Sequence, residues 1–342
     1  MKNKWIRLTA FLCAGAMLFT GCGSSQEARQ IEESKEASAE VKAEDIFEQQ
    51  EEVVSDETLI EDEAVALADS EGALSNLIIP VAAGTKTKEN DDMIIDYSNA
   101  TKGYVMVKFK TKTSKKLKSQ VKGPSGVVYT YNLTPKKWAS FPLSDGNGKY
   151  KVTVYKNVTG TSYATVGSVE FEAKLSNEML PFLTASQYIN YNKNTKCVKK
   201  AKTLCEKSKT EMKKVKKIYQ FTLKRLSYDK KKAKTVKSGY LPDLDKVYTS
   251  KKGICFDYAA MMVAMLRSQG VATKLVIGYA GSAYHAWINV YTEKDGWVTG
   301  AIYFDGKHWN LMDPTFADSA NSSDAIMDYI GNGDNYVAKY IY

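Results

Sequence analysis

Three short motifs constrain this chain more than anything else in it. Gly253-Ile254-Cys255-Phe256-Asp257-Tyr258-Ala259-Ala260 is followed by Tyr284-His285-Ala286-Trp287, and that by Trp309-Asn310-Leu311-Met312-Asp313-Pro314-Thr315. A cysteine, a histidine and an aspartate thus recur in order, about thirty residues apart each time. From Cys255 to Gln269 the apolar residues Ala259, Met262, Val263 and Leu266 keep helical spacing, and Gly270 suits a helix stop. The run Tyr284–Tyr291 alternates as a strand does. Ala301–Phe304 and His308–Met312 read as strands on either side of an Asp305-Gly306 turn. The fold that joins these pieces is a helix packed on an antiparallel sheet, with thiol, imidazole and carboxylate brought together.

Each residue type has a chemical reason to be there. A helix N-terminus carries partial positive charge, which favours thiolate, and thiolate is the nucleophile. An unperturbed thiol, with a pKa of ~8.5, is mostly protonated at neutral pH and needs such help. His285 is the candidate base that takes the thiol proton and returns it to a leaving amine. Asp313 is the candidate that fixes the imidazole tautomer and stabilises imidazolium. The Cys255 backbone N–H supplies one oxyanion donor, and Tyr228 is the candidate for a second. Gly253 is expected to allow a close backbone turn toward a substrate. Asp257, near the start of its helix, is expected to cap or pair locally.

The chain before this site reads as delivery and presentation. Residues 1–21 are a targeting segment, with a basic start and an apolar Ile6–Thr20 run too short to span a bilayer. Its end, Leu18-Phe19-Thr20-Gly21-Cys22, resembles a bacterial lipoprotein signal. That resemblance implies cleavage before Cys22, a lipid on its sulfur, and an extracytoplasmic protein anchored to the cell membrane. Residues 22–75 carry 17 Asp and Glu against Arg29, Lys35 and Lys42, with almost no aromatics. Such a segment cannot bury enough apolar surface to offset chain entropy, and is expected to be an acidic flexible stalk.

Residues 76–176 are expected to form an all-β, sandwich-like domain. Tyr104–Lys110, Val127–Tyr131, Gly148–Tyr155 and Tyr163–Phe171 read as strands separated by turn-forming stretches. Residues 177–342 return to helical spacing before the site. Ser208-Lys209-Thr210-Glu211 matches a capping box opening an amphipathic helix, with Met212, Val215, Ile218, Tyr219, Thr222, Leu223 and Leu226 on one face and Lys213, Lys214, Lys216, Lys217 and Lys224 on the other. Cys197 and Cys205 fall on an earlier helix. Eight helical residues span about 12 Å, beyond the ~7 Å that a disulfide tolerates, so both are expected to be free core residues.

The chain's net charge is +9, but it is unevenly placed. An acidic stalk and a basic body suggest an anionic setting for the body, and a polyanionic cell wall or a lipid headgroup layer fits the export signal better than nucleic acid. No nucleic-acid motif is present beyond charge. Cys255, His285 and His308 lack the short paired spacings of zinc ligands, so no metal or other cofactor is expected.

With their neighbours, Gly253–Ala259, Gly270-Val271-Ala272, His285-Ala286-Trp287 and Asp313-Pro314-Thr315 resemble the transglutaminase-like superfamily, which is similar to papain-type enzymes in its Cys-His-Asp/Asn order. The resemblance covers roughly residues 180–342. It implies an α+β, papain-like domain in which Cys255, His285 and Asp313 form a triad acting on amide or peptide carbonyls. Members include transglutaminases, peptide hydrolases, amidases and inactive scaffolds. The expected partner is a peptide or protein at the cell surface. The competing reading is a non-catalytic surface module that binds wall polymer or protein.

Overall fold

The computed structural model describes residues 77–281, 283–298, 302–304, 309–311 and 336–342. The leader, the acidic segment, His308 and Asp313 lie outside these residues. All of the described residues fall in one compact unit, whose fold is mixed helix and antiparallel sheet.

The N-terminal half is two four-stranded antiparallel sheets. One has the order β1 (Thr87–Glu89), β2 (Met93–Asp96), β3 (Tyr104–Phe109) and β6 (Trp138–Pro142). The other has the order β5 (Val128–Asn132), β4 (Leu117–Lys122), β7 (Gly148–Thr159) and β8 (Ser162–Ala173). Side chains at alternate positions, such as Val105, Val107 and Phe109 on β3 and Leu117 and Val121 on β4, enter the shared core. This is the expected all-β sandwich. The period-two stretches are β3, β5, β7 and β8. The β2, β4 and β6 strands are shorter or interrupted by polar residues such as Ser119 and Gln120, and their sequence signal is correspondingly weak.

Beyond the sandwich come five α-helices among the described residues: α1 (Lys196–Cys205), α2 (Glu211–Arg225), α3 (Lys230–Thr235), α4 (Leu244–Ser250) and α5 (Cys255–Arg267). The capping box at Ser208 is not what opens α2. Its N-cap is Thr210, whose Oγ1 accepts the Lys213 amide at 3.4 Å, while Ser208 is buried. A Thr one residue before Glu211 reaches the first orphan amides directly, so it takes the capping role. Cys197 and Cys205 lie on α1, both free and buried. Burial, with the Asp245 charge adding, pushes the Cys197 thiol up to about 12.

The antiparallel sheet of the C-terminal half has the order β13 (Gly296–Val298), β12 (Ala283–Thr292), β11 (Thr273–Ala280) and β16 (Tyr336–Ile341). A separate hairpin pairs β14 (Ile302–Phe304) with β15 (Trp309–Leu311). A two-residue parallel ladder joins β9 (Ser227–Tyr228) to β10 (Lys252–Gly253). At Gly278 a Cβ would lie 2.0 Å from the Val337 carbonyl oxygen, so glycine is what lets β16 pass this close.

Helix α5 is buried along almost its whole length, from Asp257 to Arg267. It shares its core with Leu275 and Ile277 of β11 and Ala286, Ile288 and Val290 of β12. Its C-terminal end is fastened by Arg267, which is fully buried. The guanidinium donates to the Thr184, Thr273 and Tyr342 carbonyls at 2.6–2.9 Å, so one side chain ties the helix to the segment after the sandwich, to the start of β11 and to the residue after β16.

Candidate active site

Cys255 is the first residue of α5, as its sequence context predicts, and its side chain is half-buried. The approach to it is built by the β9–β10 ladder. Tyr228 pairs with Gly253, two residues before the cysteine, and the Asp229 amide donates to the Gly253 carbonyl at 2.9 Å. The candidate oxyanion residue is thus held beside the start of the helix. Gly253 is glycine for a reason other than turn geometry. A Cβ there would meet the Asp257 Cβ at 2.7 Å, so the residue makes room for the carboxylate one turn on.

Asp257 is completely buried and organises the first turn. Its carboxylate accepts the Ile254 amide at 2.8 Å and the Lys232 ammonium at 2.6 Å, and also accepts from the Tyr240 hydroxyl. An acidic group near a helix N-terminus satisfies orphan amides and complements the dipole. It would also oppose a neighbouring thiolate, and Lys232 offsets that charge through a contact only 2.6 Å long. Burial, and then the Asp257 charge, raise the Tyr240 phenol, which therefore stays protonated as a donor. Lys232 and Tyr240 come from a lysine-rich stretch with no chemical motif, and nothing in their spacing marks them. The local role expected of Asp257 is the one it has.

His285 lies on β12, paired with Gly278 of β11, and is buried. Strand alternation sorts its neighbours. Tyr284, Ala286 and Ile288 share the face that packs on the helix core, while His285 and Trp287 have the other parity. Tyr284 is the residue just before this histidine in the chain, and its phenol lies within electrostatic reach of Cys255. Burial, then Tyr340, Tyr188, Tyr279 and Cys255, push that phenol upward, so it stays protonated. Tyr188, from the segment linking the two halves, packs edge-on against Phe256 with ring centroids 5.7 Å apart. The structure therefore holds Tyr228 beside the start of the helix and brings Tyr284 within electrostatic reach of Cys255, while His285, the next residue on β12, has the opposite parity. Tyr188 is the member that sequence reasoning missed, because only the tertiary fold brings it here. Asp313 lies outside the described residues. Among those residues no group of three or more His, Cys, Asp or Glu could hold a metal.

A helix headed by a cysteine, packed on an antiparallel sheet that carries a histidine, defines a transglutaminase-like, papain-like thiol fold. The family model of the transglutaminase-like superfamily matches residues 198–314, and this part of the chain is a transglutaminase-like domain. No curated protein matches the chain. Among solved structures it is similar to a candidate cysteine protease from Cytophaga hutchinsonii, at 17% identity and a TM-score of 0.31, over 62% of this chain and 71% of that one. A candidate protease from Parabacteroides distasonis matches at 12% identity and a TM-score of 0.28, over 60% of this chain and 63% of that one. Red sea bream transglutaminase matches at 11% identity and a TM-score of 0.26, over 67% of this chain and 53% of that one.

Proposed function

We propose that the chain is a thiol enzyme acting on amide or peptide carbonyls, displayed outside the cytoplasm on a lipid carried by Cys22. The observation that carries the chemistry is Cys255 at the first position of a buried helix, half-exposed and beside the residue that precedes His285. The family match over residues 198–314 supports the same class.

In the proposed reaction His285 accepts the Cys255 proton and the sulfur attacks the carbonyl carbon. The oxyanion is met by the Cys255 amide and the Tyr228 phenol. Collapse breaks the C–N bond, the proton passes from His285 to the leaving amine, and a thioester remains. Water then resolves the thioester to an acid, or a primary amine resolves it to a new amide. Asp313 orients the imidazole throughout. We favour surface peptides or proteins as substrates and water as the commoner acceptor. The β12 parity sets a condition on this scheme: the His285 ring must come within hydrogen-bond distance of the Cys255 sulfur, although Tyr284 has the helix-facing parity.

Alkylation tests the proposal without a known substrate. The full chain is treated with iodoacetamide from pH 5 to 9 and each cysteine is followed by mass spectrometry. Cys255 is expected to react at the acid end of the range and to lose that reactivity in His285→Ala. Cys197, held as a buried thiol, is the silent internal reference. Reaction of Cys255 that is indifferent to His285 would remove the general base and with it the proposed mechanism. Acceptor choice is read by offering a glutamine-containing peptide with and without a fluorescent primary amine, and weighing the product. A deamidated peptide identifies water, and an amine-bearing peptide identifies transfer.

A further inference from the structure

The positive charge of the folded part is concentrated in one segment. Residues 193–252 hold 20 lysines and one arginine against five acidic residues, a net charge of +16. Most of these lysines are exposed, and among the described residues ion pairs neutralise only Lys232 and Lys246 of them. The segment forms α1 to α4, and the charges on its two longer helices line up. On α2 the exposed residues Lys213, Lys216, Gln220 and Lys224 follow one face, while Val215, Ile218, Tyr219 and Thr222 are buried on the opposite face. On the neighbouring α1, Lys196, Lys199 and Lys202 are exposed as well. The two helices are fastened to each other by the Lys217 ammonium donating to the Leu204 carbonyl at 3.1 Å and by Lys200 over the Phe221 ring.

The row of lysines has a direction. Lys214, near the start of α2, donates to the Gln269 carbonyl just past the end of α5. At the other end, Ser227 and Tyr228 pair with Lys252 and Gly253 just before Cys255. Helix α2 therefore runs antiparallel to α5, and its row of about 16 Å, from Lys213 to Lys224, ends on the side of the candidate thiol.

We infer that this lysine face binds a phosphodiester wall polymer of the polyol-phosphate type, holding the enzyme along an anionic strand with its thiol end leading. Exposed ammonium groups along one helix face that no described carboxylate neutralises suit a flexible polyanion, through phosphate contacts and counterion release. A membrane surface fits less well. Interfacial helices bury an apolar face in lipid, whereas the apolar face of α2 is already committed to the protein core. Single-stranded nucleic acid fits less well because binding it relies on aromatic platforms interleaved with the charge, and the exposed row on α2 has none. This inference uses the proposed thiol chemistry only to name which end leads, and the binding itself needs no thiol.

The test is equilibrium binding of the full chain to poly(glycerol phosphate) across a salt series. Two triple variants are compared, Lys213→Glu/Lys216→Glu/Lys224→Glu on α2 and Lys112→Glu/Lys116→Glu/Lys137→Glu on the sandwich. The wild type is expected to bind with log K falling linearly in log salt. The α2 variant is expected to lose at least about tenfold in affinity and to show a slope shallower by about two, the loss of three contacts. The sandwich variant, equal in net charge, is expected to bind like wild type. Equal losses in both variants would reduce the effect to net charge and overturn the inference. So would tighter binding to phosphatidylglycerol vesicles or to single-stranded RNA than to the polymer. Cys255 alkylation measured on the same samples keeps this outcome separate from that of the catalytic proposal.

Discussion

Asp257 shows how much one residue settles at the head of α5. Its carboxylate is buried, caps Ile254, and is paired with Lys232 at 2.6 Å and hydrogen-bonded to Tyr240. Removing Lys232 leaves a buried carboxylate with its amide and phenol donors but without its counter-charge. A broken buried pair costs ~3–5 kcal/mol. The two surviving hydrogen bonds and the 27% exposure of the lysine side chain put Lys232→Met below that range, at about 2 kcal/mol, measured by urea unfolding. Asp257→Ala is expected to cost more, about 3 kcal/mol, because it removes the Ile254 cap as well. A variant Lys232→Met as stable as wild type would show that Asp257 does not depend on its partner. The sequence makes Asp257 legible as a capping residue through its place in the helix. It says nothing of Lys232 and Tyr240, since a contact across 25 residues leaves no periodic trace.

At the scale of elements, the C-terminal strand and Arg267 hold the helix–sheet layer together. Tyr342 is buried against Tyr129, Tyr131 and Tyr188, and its backbone exchanges hydrogen bonds with Leu275. Arg267 donates to carbonyls on three separate segments, and burial lowers its guanidinium to about 10 without removing the charge at neutral pH. Arg267→Leu is expected to destabilise the fold by about 3 kcal/mol, because three buried carbonyls each lose a charged donor and, among the described residues, only that of Tyr342 keeps another, the Leu275 amide. Its urea midpoint should fall while Lys224→Glu, on an exposed helix face, leaves the midpoint within error. Elements with one clean period are legible in the sequence itself: α5 from its apolar spacing, β12 from its alternation, α2 from its two faces. Sequence alone sets the cap of α2 two residues too early. Ser208 and Thr210 both satisfy capping chemistry, and only packing, which buries Ser208, chooses between them. The staple made by Arg267 leaves no mark at all. Nothing in a sequence separates a buried arginine that binds carbonyls from an exposed one.

Taken whole, the described part of the molecule has a core that crosses the boundary between sandwich and thiol layer. Tyr131 of β5 stacks on Phe141 and meets Tyr188 and Tyr342. Gln187 donates to the Asn132 carbonyl at 2.7 Å, and the Gln187 amide to Ser140 at 3.0 Å. A seam made of buried phenols couples the two halves and makes their union sensitive to alkali. Burial raises the phenols of Tyr129, Tyr131, Tyr188 and Tyr342 above the ordinary value of 10.0. The sign follows from linkage. The folded state keeps these protons where the unfolded state releases them, so the stabilising contribution is fully present below pH 10 and is lost as pH climbs through the folded-state values. The expected result is a single loss of structure above about pH 10, in which phenolate absorbance and far-ultraviolet circular dichroism change together. Amide exchange near neutral pH should give β7 of the sandwich and α5 of the thiol layer the same opening free energy, because they share one core. Phenolate appearing while the dichroism of the native fold persists would mean that the seam opens by itself. Two exchange free energies would then follow, and the thiol layer could be separated from the sandwich that precedes it.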